Sequence, residues 1–71
     1  MHHMIKANRE TLTKVIDNYV IGYKSKRNRE LLKDRLIDGL TFEEIAEKYG
    51  MSVRQIKKIT YENEELILKH L

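Results

Sequence analysis

The chain contains no cysteine and no proline. The first absence excludes disulfides and thiolate metal sites. The second, with only three glycines, leaves too little turn punctuation for a sandwich or barrel. Aromatic residues are scarce at 7% while charged residues reach 35%, a balance that favours helices around one small core. Long apolar runs are missing too. Val20-Ile21 and Leu66-Ile67-Leu68 fall far short of the ~20 residues that span a bilayer. The N-terminus has no signal-peptide apolar region, so a cytoplasmic protein without membrane contact is expected.

What remains is 71 residues, the size of one domain. A chain so short buries only about 60% of its unfolded surface, and its margin of stability is thin. Its charge is uneven. Residues 1–40 carry nine basic and five acidic side chains, a net of +4; residues 41–61 carry four and three, a net of +1; residues 62–71 carry one and three, a net of −2. A basic body with an acidic end is compatible with a polyanionic partner without requiring one.

Residues 1–7, with His2 and His3, read as a disordered N-terminus or tag remnant, and residues 8–71 as the single folded domain. From Asn8 to Tyr23, Leu12, Val15, Ile16, Tyr19, Val20 and Tyr23 recur at helical spacing on one face, with Gly22 marking the end. Lys24-Ser25-Lys26-Arg27 reads as a loop and Asn28 as the cap of a second helix running to Asp38, stopped by Gly39. Leu31, Leu32, Leu36 and Ile37 spread widely around this helix, so it should pack on two sides. Thr41 caps a third helix with Glu44 three residues on, and Ser52 repeats the device with Gln55. The last helix runs from Val53 to about Lys69, because Ile56, Ile59, Thr60, Asn63, Leu66, Ile67 and His70 share one arc. A break at Asn63 would make a fifth helix. The fold expected is all-α: a small bundle of four helices, or five, with a long C-terminal one.

The third and fourth helices carry the informative pattern. Ala46 is small where two helices must approach closely, and Gly50 follows where a tight turn needs positive φ. Ile45, Tyr49, Met51, Ile56 and Ile59 supply the packing, and Phe42 anchors the start of the third helix. An ordinary helical hairpin has no need of this order. It is the arrangement that places a helix in the major groove of DNA. Val53, Arg54, Lys57, Lys58 and Tyr61 project opposite Ile56 and Ile59. Arg54 suits a bidentate pair with guanine and Val53 a thymine methyl; Lys57 and Lys58 suit bases or phosphates. Thr41, Ser52, Gln55 and Tyr61 are candidates for the sugar-phosphate backbone, as are Lys26, Arg27 and Arg29 of the second basic cluster. Taken singly, each charge is equally well explained by solvation, and Gln55 by capping. Glu64 and Glu65 repel phosphate, which confines contact to the first two turns of the last helix.

The segment Gly-Leu-Thr-Phe-Glu-Glu-Ile-Ala-Glu-Lys-Tyr-Gly-Met-Ser-Val-Arg-Gln-Ile-Lys-Lys-Ile resembles the helix-turn-helix of the promoter-reading C-terminal domain of bacterial sigma factors. From about Asp17 to Leu71 the chain also resembles small phage and mobile-element regulators of Gram-positive bacteria built on that fold. The resemblance implies a transcriptional regulator in which the residues opening the second motif helix read bases, here Val53, Arg54, Lys57 and Lys58. No polymerase-core-binding sigma region precedes the motif, so a complete sigma factor is not expected.

Catalysis is not expected, since His2, His3 and His70 lie near the ends without arranged carboxylate or nucleophile partners. No cofactor or metal is implied. The competing reading is a protein-binding module that contacts RNA polymerase or another regulator without reading DNA. Leu66, Leu68 and Leu71, with Ile5 and Ile21, could line a homodimer seam; the other reading is that Leu66 and Ile67 only complete a monomer core.

Overall fold

Asn8 acts as a cap: its Oδ1 accepts the Thr11 N–H at 2.8 Å and starts α1 (Arg9–Tyr19). The computed structural model describes residues 8–71; the expectations for residues 1–7, including His2, His3 and Ile5, fall outside them. Four helices follow in the described residues: α1, α2 (Ser25–Leu36), α3 (Phe42–Tyr49) and α4 (Val53–Lys69).

The first connection differs from expectation. Helix α1 stops at Tyr19 rather than near Tyr23, because Val20 leaves the helical region and Gly22 takes φ 102°. Lys24 follows in the left-handed region at φ 59°, and the Ser25 N–H bonds back to the Gly22 carbonyl. The chain thus reverses within Val20–Lys24, and α2 starts at Ser25. Lys26 and Arg27 lie in its first turn, not in a loop. Asn28 is no cap: its Oδ1 accepts from Nε and Nη2 of Arg27 inside the helix. Tyr23, expected on the apolar face of α1, is 89% exposed. At its other end α2 closes at Leu36, two residues before Asp38, and Gly39 turns the chain at φ 72°.

Two apolar clusters meet across α2. Leu12, Val15, Ile16 and Val20 pack with Leu32 and Ile67; Leu31 packs with Phe42, Ile45, Ala46 and Ile56. The wide stripe of α2 therefore divides Leu31 and Leu32 between two cores, as its breadth predicts. Each fully buried Leu or Ile contributes about 1.5–3 kcal/mol, which makes α2 the wall that holds the α3–α4 pair to the rest.

Both expected capping boxes are present. Thr41 Oγ1 accepts the Glu44 N–H while Glu44 Oε1 accepts the Thr41 N–H; Ser52 and Gln55 repeat this at α4. Between them Gly50 adopts φ 64°, and the N–H groups of Met51 and Gly50 close on the carbonyls of Ala46 and Glu47. This is a Schellman-type stop that only a residue tolerant of the left-handed region fills cheaply. Helix α4 then runs unbroken for 17 residues, about 25 Å. Asn63 does not interrupt it, since its side-chain amide donates to the Ile59 carbonyl one turn back.

Candidate nucleic-acid interface

The first turns of α4 are held from beneath. Ile56 is fully buried, Ile59 half-buried, and Met51 and Val53 pack against the same cluster as Ala46. With that face fixed, Arg54, Lys57 and Lys58 stand exposed on the opposite side. Val53 lies at the margin, half-buried, with part of its methyl surface inside the cluster. Ser52 and Gln55 are exposed and occupied with each other in the cap, which leaves the Gln55 amide nitrogen as its unused donor group. Further along, Glu62 and Glu65 are exposed and Glu64 half-buried. Three of the four α4 cations thus sit at its N-terminal end, with the carboxylates beyond them and Lys69 in the last turn.

The two flanks of this helix differ. On one, Arg27 from α2 joins Met51, Gln55, Lys58, Ile59 and Glu62 around a depression of about 280 Å³. The structure therefore brings the second basic cluster beside α4 through Arg27. Lys26 is exposed and lines a neighbouring depression of about 580 Å³ with Lys24, Arg27, Glu30, Lys48 and Tyr49. Arg29 is separated from this group: its Nη1 donates to the Val20 carbonyl at 3.0 Å and ties α2 to the end of α1.

On the opposite flank Phe42, at the start of α3, is a shared contact. The Arg35 guanidinium lies 4.3 Å from its ring centroid, the Lys57 ammonium 5.6 Å, and the Tyr61 ring meets it edge-on at 5.9 Å. Arg35 also donates to the Leu40 carbonyl at 2.9 Å. Thr41, spent in its cap, is the neighbour of this group in sequence. Sequence reasoning passed over Arg35; its only signal was a basic residue in the last turn of a helix leading into the motif.

Also missed was Asp34, 6% exposed, whose carboxylate accepts from Lys48 Nζ at 2.9 and 3.0 Å and from the Tyr49 hydroxyl at 2.6 Å. Desolvation, then the bond to Asp34 and its negative charge, push the Tyr49 phenol well above its usual pKa. This network ties α2 to the last turn of α3 and so fixes the turn before α4. Glu44 is shifted the other way: the Thr41 N–H, then the Thr41 side chain, hold its carboxyl below the usual 4.5.

Several residues considered for a dimer seam reach the surface. Ile21, Leu68 and Leu71 are exposed and Leu66 is half-buried. His70 is exposed and stacks on Tyr19 at 3.6 Å between centroids. No group of three potential metal ligands occurs among the described residues, and none of the described helices is long and apolar enough to cross a membrane.

A trihelical unit whose last two helices are joined by a left-handed glycine turn, with cations on the opening turns of the final helix, defines the helix-turn-helix class of DNA-binding domain. The chain belongs to the family described as Sigma-70, region 4, whose model matches residues 25–62, more than half of its length. The match begins at the first residue of α2 and ends within α4, so it covers the motif and its supporting wall. Domains of this family bind DNA and RNA polymerase, and the family is one of DNA-binding transcriptional regulators, not of enzymes. No curated protein and no solved structure matches the chain.

Proposed function

We propose that residues 8–71 act as one DNA-binding unit that regulates transcription by recognising a specific sequence, with the first two turns of α4 in the major groove. The observation that carries this reading is the segregation of charge along α4: Arg54, Lys57 and Lys58 exposed at its capped start, carboxylates beyond. A helix inserted by its N-terminal end meets phosphates there and leaves its far end outside the groove. Arg54 is the bidentate reader of guanine, and Val53 offers its remaining methyl surface to thymine. Lys57 and Lys58 face the base edges or the phosphates beside them. Thr41, Ser52, Gln55 and Tyr61 serve the backbone on either side, with Lys26 and Arg27 reaching it from α2. Such a regulator acts in the cytoplasm, where the DNA is.

Selection of bound fragments from a random DNA pool tests this directly. An enriched motif is expected, with affinity falling steeply as salt rises. Arg54→Ala should cost about 1–3 kcal/mol at one base position and relax the preference there. No enrichment and no binding at low salt would remove the reading and favour a module that contacts RNA polymerase or another regulator.

A further inference from the structure

Phe42 gathers, from α2 and α4, two cations that the sequence separates by 22 positions. Both charges lie within about 6 Å of its ring centroid, the range in which a ring face attracts a cation. Phe42 is 9% exposed, so its position is set by the core, while Lys57 is exposed and Arg35 half-buried. Tyr61 closes the group edge-on and keeps its own ring exposed.

We propose that Phe42 is a positioning residue, which holds Arg35 and Lys57 as a paired clamp on the phosphates of one DNA strand, on the α3 side of the recognition helix. The proposal rests on the DNA-binding reading above and sharpens it: Lys57 grips phosphate, Arg35 joins the interface, and base reading falls chiefly to Arg54. Three observations converge. Both cations approach the one Phe42 ring, whose negative face offsets part of the cost of gathering two like charges there. Arg35 is bound through Nη1 to the Leu40 carbonyl, so its guanidinium is fixed and its remaining N–H groups are available to an anion. The Lys57 ammonium lies 5.6 Å from the Phe42 ring centroid, which places it on the α3 flank of α4. Arg27 and Lys58 stand on the other flank, so the helix would be gripped from both walls of the groove. DNA carries a charge every ~3.4 Å along each strand, which lets neighbouring phosphates meet both cations.

The test compares Phe42→Leu, Phe42→Tyr, Arg35→Met and Lys57→Met on the motif selected by the wild-type chain, each across a series of salt concentrations. Leucine keeps apolar volume without the ring face. Phe42→Leu should bind about two- to fivefold more weakly, with its ranking of base substitutions unchanged, and Phe42→Tyr should restore the affinity. Arg35→Met and Lys57→Met should each lower the salt slope by about one and weaken all sequences alike. Lys57→Met relaxing the preference at a single base pair would overturn the clamp, as would an Arg35→Met slope equal to wild type. The salt slopes of these two variants decide the matter even if Phe42→Leu fails to fold. A wild-type chain that selects no motif and does not bind at low salt overturns the DNA-binding reading itself, and the clamp with it.

Discussion

The Tyr49 hydroxyl donates to the buried Asp34 carboxylate at 2.6 Å, across the junction of α2 and α3. A carboxylate at this depth is stable only while its acceptor oxygens are occupied, and Tyr49 and Lys48 occupy them. Tyr49→Phe should therefore cost about 1.5–3 kcal/mol, the range for a bond to a charged group. Lys48 is half-exposed, so Lys48→Met should cost less, about 1 kcal/mol. Urea denaturation of the two variants measures both. A larger loss for Lys48→Met than for Tyr49→Phe would mean that the ammonium, more than the phenol, satisfies Asp34.

The same contact sets an alkaline limit. The folded protein holds the Tyr49 proton more tightly than the unfolded chain, since its pKa is raised above the usual 10. Its contribution is complete below pH 10 and is lost progressively as pH rises beyond it. Thermal unfolding of the wild type should therefore shift downward above pH 10, and Tyr49→Phe should lack that component.

Glu44 works at the acid end. Its carboxyl is held below 4.5 by the Thr41 N–H and then the Thr41 hydroxyl, so the folded state favours the charged form. The stability this adds is present above pH 4.5 and disappears as pH falls through the lowered value. Glu44→Gln keeps an acceptor for the Thr41 N–H but has no proton to gain, and should flatten the acid limb of a stability–pH curve. Thr41→Ala and Ser52→Ala should each cost about 1 kcal/mol at neutral pH. A Glu44→Gln curve with the wild-type acid limb would place that limb elsewhere.

How much of this could be read in advance depended on the reach of each interaction. The caps at Thr41 and Ser52, the Ala46–Gly50 turn and the continuous α4 rest on contacts within about five residues, and their chemistry is written in adjacent letters. The start of α2 was misread because no side chain caps it; a turn made by backbone at Gly22 and Lys24 leaves little trace, while Asn28 offered a false cap. Asp34 finds its partners 14 and 15 positions away, and Arg35 and Lys57 meet only on Phe42. Such meetings follow from helix packing, not from periodicity. Hence the exposure of Arg54, Lys57 and Lys58 on one side of α4 was legible, whereas the ties that support and flank that side were not.

Arg29 and Lys26 separate structural from electrostatic use of charge. Arg29 donates to the Val20 carbonyl where α1 ends, while Lys26 is exposed in the first turn of α2. Arg29→Met should lower stability by about 1.5–3 kcal/mol. Lys26→Met should leave unfolding unchanged within about 0.5 kcal/mol and reduce the salt slope of DNA binding by about one. Measuring unfolding and salt dependence on both variants sorts the cluster. A Lys26→Met slope equal to wild type would restrict the contribution from the first turn of α2 to Arg27.

Gly50 fixes the direction in which α4 leaves α3, and its cost of replacement is isolated cleanly. A Cβ there meets nothing within 4 Å, yet the backbone sits at φ 64°. Substitution therefore introduces left-handed strain without a clash. Gly50→Ala should lose about 1–2 kcal/mol, and Gly50→Asn less, since asparagine tolerates that region. Because the Met51 and Gly50 N–H bonds to the preceding turn are kept by both variants, the folded fraction should bind DNA with wild-type affinity. Urea denaturation gives the first number and a salt-matched binding titration the second. Equal stability of the alanine and glycine proteins would show that the turn relaxes out of the left-handed region, and α4 would then be re-aimed, which the titration would register as lost affinity.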